Sequence, residues 1–445
     1  MKRILPLVRL SFASMGPAPS QSSPAMGNPV QPSRIRVASD RPDALYRCGE
    51  TAVFTVSVDP DADGAPASGE ATVTLDNFGS HEQLCRTADL ARENPFTVRG
   101  TLAEPGFLRL CVQPAGSDGK KVFGVGFEPE RIRKASPSPP DFDDFWAEAK
   151  RTLDETTPVD PQMVPVPEKC TDDFDFYRVS FASYGGRVWG LLTIPKGASA
   201  GGKYPVRFEI PGAGTGPWTN TLDGSRDEIR MKMTVHPDPL PFDHDELLAW
   251  HERNRSRLTE KYGVGGYSIA GLGKSREDYY YYRGILGVCR AADWLAERPE
   301  VDATRFVYQG ASQGGGLGLA ATALSPRFTK ALLMVPALSD VLAFRAGRRN
   351  GCAPCPVQDQ PPEDRARAEA LAPYFDGANF ASRIRCPVRV LVGFADDACV
   401  PCAVYATYNE MTAPDRGIVC GVGMGHDGNT RPDLLRILSE WLRAP

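Results

Sequence analysis

The chain has 445 residues, 42% of them apolar and 9% aromatic, which is ample for a large core spread over two or three domains and excludes a disordered protein. Its 51 Lys and Arg face 55 Asp and Glu, so no charge excess marks it for nucleic acid or an anionic membrane surface. No apolar run nears the roughly 20 residues of a membrane-spanning helix, so no membrane span is expected.

Residues 1–33 open with Lys2 and Arg3, then a short apolar stretch broken by Arg9, then small residues. That order is that of a secretory leader, and export to a periplasm or to the medium is the expectation. The Pro, Ser and Gln that follow predict a disordered linker up to residue 33.

From residue 34 to 134 the pattern has period two. In "TAVFTVSVD", Phe54, Val56 and Val58 fall on one face and Val53, Thr55 and Ser57 on the other. Four similar runs follow, separated by clusters such as "DPDADGAPASG", and predict a small Ig-like β-sandwich. Cys48 and Cys111 in this region suggest an inter-strand disulfide.

Prolines around residue 138 close the sandwich. "DFDDFWAEAKRTLDE" then predicts a helix with acidic residues in its first turn. From 135 to 445 strands and helices alternate, with helices expected at 279–298, 314–324 and 432–442. The later strand candidates, such as "RFVYQGAS", "ALLMVPAL" and "VRVLVGFAD", are apolar on both faces, as strands inside a mainly parallel sheet must be. The predicted fold is therefore an α/β domain behind an all-β domain. The "YYYY" run at Tyr279–Tyr282 reads as packing of a helix on the sheet.

The chemistry begins at Gly310-Ala311-Ser312-Gln313-Gly314. This is G-x-S-x-G placed directly after a strand and at the start of a helix, the context of a nucleophile elbow. A serine hydroxyl needs a base and an orienting acid before it can attack. His426, in "GMGHDG", is the single histidine downstream of Ser312. Asp396 and Asp397 both lie at the end of a preceding strand, and spacing alone does not choose between them; Asp427 is less suited because it adjoins His426. The backbone N–H of Gln313 and one from "EIPGAGTGPW", at Ala213, are the expected oxyanion donors. Trp218 is a candidate platform for a sugar ring. His236, at the end of a strand, is a candidate substrate contact. His244 and His251 do not form an H-E-x-x-H motif, and no metal or cofactor is expected. The pairs Cys352/Cys355 and Cys399/Cys402 have proline-containing spacers that suit loops with local disulfides or free thiols rather than a zinc site.

Several of these blocks together resemble the acetyl xylan esterase and cephalosporin C deacetylase family, an α/β-hydrolase group of carbohydrate esterases. They are "DFDDFW", the long block from "EDYYYYRGILG" through "GASQGGGLGLAATALSPR", "YFDGANFASRIRCPVRVLVGFADDACVP", and "GMGHDG". The resemblance runs from about residue 138 to the end. It implies an α/β-hydrolase fold, a Ser312, Asp396 and His426 triad, and removal of short acyl groups from sugars or polysaccharide such as acetylated xylan. It also implies that a homo-oligomer is possible, because family members can assemble into rings, a packing that the added N-terminal domain could block or alter. The chain departs from the family pattern at the oxyanion loop, where Pro211-Gly212-Ala213 replaces His-Gly-Tyr. With its added β-sandwich it resembles a larger branch of the family.

Two other readings compete. A serine peptidase of the same fold also carries an N-terminal β-domain, but usually a much larger propeller, and needs an amine anchor that is not evident here. A catalytically inactive carbohydrate-binding protein would have no use for Ser, Asp and His in the order of a working triad.

Overall fold

The computed structural model describes residues 30–64, 68–79, 81–352 and 354–444. The leader reading falls on residues 1–29, outside the described residues. Val30 is already buried and Pro32–Arg34 forms a 3-10 turn, so ordered chain begins before residue 34, where the linker was expected to end.

Eight strands come first: β1 (Ile35–Ser39), β2 (Leu45–Tyr46), β3 (Ala52–Val58), β4 (Glu70–Asp76), β5 (Glu82–Asp89), β6 (Phe96–Gly100), β7 (Gly106–Pro114) and β8 (Lys121–Phe127). They make two small sheets, one ordered β1-β3-β6 and the other β2-β8-β7-β4-β5. All pairings are antiparallel except β2 with β8. Alternation is the cause: Ala52, Phe54, Val56 and Val58 are buried along β3 while the residues between them turn outward. Phe54 of one sheet meets Phe123 of the other edge to face, with ring centroids 6.3 Å apart, so the two apolar faces share one core. The expected Cys48–Cys111 disulfide is not formed, and all eleven cysteines are thiols. Cys48 lies beside Glu128 and Arg131, whereas Cys111 sits mid-strand in β7 opposite Val122, beside Lys120.

Helix α1 (Phe142–Thr156) follows, with Asp143 and Asp144 in its first turn, where carboxylates complement the helix dipole. Its buried residues Phe142, Trp146, Ala149 and Leu153 recur every three or four positions and form one apolar stripe.

Nine further strands build the second unit: β9 (Gln162–Pro165), β10 (Phe174–Ser183), β11 (Gly186–Pro195), β12 (Tyr204–Ile210), β13 (Ile229–Met233), β14 (Val301–Ala311), β15 (Lys330–Met334), β16 (Val388–Gly393) and β17 (Arg416–Gly421). Their order is β17-β16-β15-β14-β12-β13-β11-β10-β9. The pairings from β17 to β13 are parallel, and those of β11, β10 and β9 are antiparallel. Seven helices accompany them: α2 (His244–Tyr262), α3 (Tyr280–Ala296), α4 (Gln313–Leu324), α5 (Arg365–Leu371), α6 (Gly377–Ala381), α7 (Pro401–Asn409) and α8 (Pro432–Arg443). The expected helices at 279–298, 314–324 and 432–442 correspond to α3, α4 and α8. Strand β9 escaped the sequence pattern because none of its residues is buried, so it carries no apolar alternation. The carboxyl ends of β14, β16 and β17 lie together, and the loops leaving them bring the site together.

Candidate active site

Strand β14 ends at Ala311 and α4 begins at Gln313, leaving Ser312 alone at the turn with φ 55° and ψ −119°. A positive φ on a serine is strained, by about 1–3 kcal/mol. The backbone around it is tied down: Ser312 N–H donates to the Met334 carbonyl at 2.9 Å, and the Ser312 carbonyl accepts from Gly316 at 2.9 Å and Ala337 at 3.0 Å. Gly314 is required by close approach, since a Cβ there would lie 1.9 Å from the Ile210 carbonyl oxygen. That contact brings the end of β12, and so the loop carrying Ala213, up against the elbow.

The Ser312 hydroxyl lies 2.9 Å from His426 Nε2, and His426 Nδ1 lies 2.9 Å from Asp396 Oδ2. With Asp396 holding the proton on Nδ1, Nε2 is left to accept from Ser312. Asp396 is fully buried, and its other oxygen accepts the backbone N–H groups of Ala398 at 2.8 Å and Cys399 at 2.9 Å. Burial opposes the imidazolium, yet the hydrogen bond and charge of Asp396, with help from Asp427, hold the His426 pKa above its ordinary value. Asp397 faces elsewhere: Arg109 Nη1 donates to it at 2.8 Å and Lys120 Nζ lies 2.6 Å away.

Two cavities meet at Ser312 and His426. The larger, about 520 Å³, is bordered by Ala213, Gln313, Tyr267, Tyr281, Leu338 and Cys399. The smaller, about 200 Å³, is bordered by Trp218, Glu209, Lys232 and Met334. Gln313 is the first residue of α4, where an N–H has no acceptor within the helix. Its side chain also has a use that sequence reasoning missed. Tyr281 O–H donates to Gln313 Oε1 at 2.8 Å, and Gln313 Nε2 donates to the Pro211 carbonyl at 3.2 Å. The buried amide therefore links the elbow to the loop of Ala213, and Tyr281 has a task beyond packing. Four adjacent tyrosines gave no sign of which hydroxyl would reach the site.

His236 does not join this group. It is 3% exposed, its Nδ1 shares a hydrogen bond with the Tyr280 hydroxyl at 2.8 Å, and its ring packs edge-on against Trp250 and Tyr267. Its ring neighbours come from α2 (Trp250 and His251) and α3 (Tyr280), so this histidine at the end of a strand enters the core instead of a cavity at Ser312. His244 is exposed at the start of α2, while His251 lies half-buried beside His236. Cys352, Cys355, Cys399 and Cys402 are buried thiols and do not converge as a set of four. Among the described residues, the one group of three potential metal ligands is Asp396, Cys399 and His426, of which the acid and the imidazole already bind each other.

A mainly parallel sheet with a serine at a strand-to-helix elbow, bonded through histidine to a buried carboxylate, defines an α/β-hydrolase. The family model described as acetyl xylan esterase matches residues 128–430, and the chain belongs to that family. It is accordingly a hydrolase of ester bonds. Acetyl esterase Axe7A of Xylanibacter ruminicola is 31% identical over 404 residues, covering 85% of this chain and 83% of that protein. Among solved structures, acetyl xylan esterase 1 from Thermoanaerobacterium sp. JW/SL YS485 matches with a TM-score of 0.56 at 22% identity, over 71% of this chain and 98% of that one. An acetyl xylan esterase from Paenibacillus sp. R4 matches with a TM-score of 0.54 at 23% identity, over 70% and 98%. These two likenesses concern the fold.

Proposed function

We propose that the protein is a serine esterase that removes acetyl groups from a carbohydrate, with Ser312 as nucleophile, His426 as base and Asp396 as orienting acid. The observation that carries this reading is the unbroken hydrogen-bond chain Ser312–His426–Asp396, open to cavities on both sides. Ser312 Oγ attacks the ester carbonyl carbon as its proton passes to His426 Nε2. The resulting oxyanion rests on the N–H groups of Gln313 and Ala213. The bond to the sugar oxygen breaks as His426 returns the proton to that oxygen. Water then attacks the acetyl-serine carbonyl as one of its protons passes to His426; the acyl–Oγ bond breaks as His426 returns that proton to Ser312 Oγ, and acetate leaves.

Trp218, half-buried at the rim of the smaller cavity beside the polar Glu209 and Lys232, supports a sugar as the alcohol half of the ester. The reading includes the division into a leader ahead of residue 30, a β-domain up to 134 and a hydrolase domain at 135–445, and export of the protein.

The test compares wild type and Ser312→Ala on p-nitrophenyl acetate, acetylated xylan and an aminoacyl amide. Wild type should release acetate from both esters, and Ser312→Ala should lose roughly a thousandfold or more while keeping its fold. Equal rates for the two proteins would end the triad assignment. Amide cleavage faster than acetate release would favour a peptidase.

A further inference from the structure

The hairpin of β7 and β8 lies against both loops that leave β16 and β17. Phe107 of β7 packs on Phe394, ring centroids 5.0 Å apart. Gly124 of β8 lies so close that a Cβ there would stand 1.8 Å from the Phe394 carbonyl oxygen. Phe123 reaches the second loop, lying 3.5 Å from where a Cβ on Gly423 would be. The two loops are joined to each other by the Ala395 N–H, which donates to the Met424 carbonyl at 2.9 Å.

A buried ion pair anchors a further link. Arg109 of β7 is 9% exposed and Asp76 of β4 is 4% exposed. Arg109 Nε donates to Asp76 Oδ1 at 2.9 Å and Nη2 to Oδ2 at 2.7 Å. The remaining arm, Nη1, crosses to Asp397 Oδ1 at 2.8 Å. The planar fork engages two carboxylates in fixed directions, which the half-exposed Lys120 ammonium, 2.6 Å from the other Asp397 oxygen, cannot do alone. Although burial works against it, Asp397 keeps its carboxyl below the usual carboxylate range through Lys120 and Arg109.

We infer that Arg109 is a positioning residue for ester hydrolysis: through Asp397 it pins the loop that aims Asp396 at His426. The inference rests on the triad reading above. Asp396 accepts the N–H groups of Ala398 and Cys399, so residues 396–399 form one hydrogen-bonded turn. The Asp397 side chain leaves that turn on the side facing β7. Holding it fixes the rotation of the turn, and with it the direction of the buried carboxylate. The orienting residue of the triad is thereby set by a strand 287 positions earlier in the chain (396 against 109).

The experiment uses full-length Asp397→Ala, Asp397→Asn and Ser312→Ala, with p-nitrophenyl acetate as substrate and thermal melts as a check on folding. Asp397→Ala severs the link while leaving Arg109 paired with Asp76, so no buried charge is stranded. It should lower kcat about tenfold with KM within about twofold, the pattern of misalignment. The acid limb of its kcat/KM profile should also move to lower pH, because His426 then feels less of the Asp396 charge. Asp427, the other acid near His426, is unchanged throughout. Asp397→Asn keeps an acceptor for Arg109 and should retain most of the rate. Wild-type kcat and an unmoved acid limb in Asp397→Ala, with Ser312→Ala inactive, overturn the inference and leave the triad standing. An equal rate loss in both Asp397 variants with lowered melting and an unmoved limb overturns it as well. An active Ser312→Ala overturns the triad reading itself.

Discussion

Ser312 occupies backbone space that suits glycine, and the strain of about 1–3 kcal/mol is held by hydrogen bonds to Met334, Gly316 and Ala337. The return is geometric, for the hydroxyl meets His426 Nε2 at 2.9 Å at the junction of two cavities. His426 works as a base only when neutral, and Asp396 raises its pKa above the ordinary histidine value. Activity should therefore fall as pH drops through a midpoint above about 6.5. Asp396→Asn removes the charge that raises this pKa, so it should lower the rate and move the acid limb to lower pH. The kcat/KM profile of each variant between pH 5 and 9 checks this, and an unmoved limb in Asp396→Asn would remove Asp396 from its role.

At the scale of elements, the site depends on how closely α4 approaches its neighbours. The first ten residues of this helix are all buried, so it has no solvent face to orient it and instead sits wedged against β14, β15 and β12. Gly314 sets the fit at its start. Gly314→Ala forces a Cβ to within 1.9 Å of the Ile210 carbonyl, which must push β12 and the Ala213 loop away from the elbow. It should cost about 3 kcal/mol in stability, near the upper end for overpacking, and lower kcat as well. A melting curve and a kcat measured together check this, and a variant that keeps both would show that the loop moves without consequence. The buried strands and the elbow were legible as apolar runs ending in glycine. The bridge from Tyr281 through Gln313 to Pro211 was not, because it joins three separate elements by side chains that local patterns treat as packing.

Across the whole molecule, burial determines how the protein meets acid. His236 is enclosed by Trp250, Tyr267 and Tyr280, and burial pushes its pKa well below 6.5; His251 beside it is pushed down to about 4. Below pH 6.5 the unfolded chain takes up protons that the folded chain refuses, so stability falls as pH falls. His236→Gln should melt lower at pH 7, where it loses its packing, but should show a smaller drop in melting temperature between pH 7 and pH 5 than wild type. An equal drop in both proteins would mean that His236 does not set the acid sensitivity. The N-terminal β region belongs to this scale too, since its hairpin presses on both loops of the site.

The order of residues alone determined a good deal. Period-two alternation marks the β region, runs apolar on both faces mark the parallel strands, and a serine between glycines after such a strand marks the elbow, because each of these is a local pattern. A lone histidine after the last strand follows from chain order in the same way. What the chain order left open was settled by long-range contacts. Asp396 and Asp397 are adjacent and chemically alike, yet one lies buried against His426 and the other is turned toward Arg109 and Lys120. His236 was a candidate at the end of a strand and became core because two helices close over it. Gln313 and Tyr281 acquired tasks from partners far away in sequence. In each case the deciding neighbour lies dozens to hundreds of residues away, and only folding brings it within reach of a hydrogen bond.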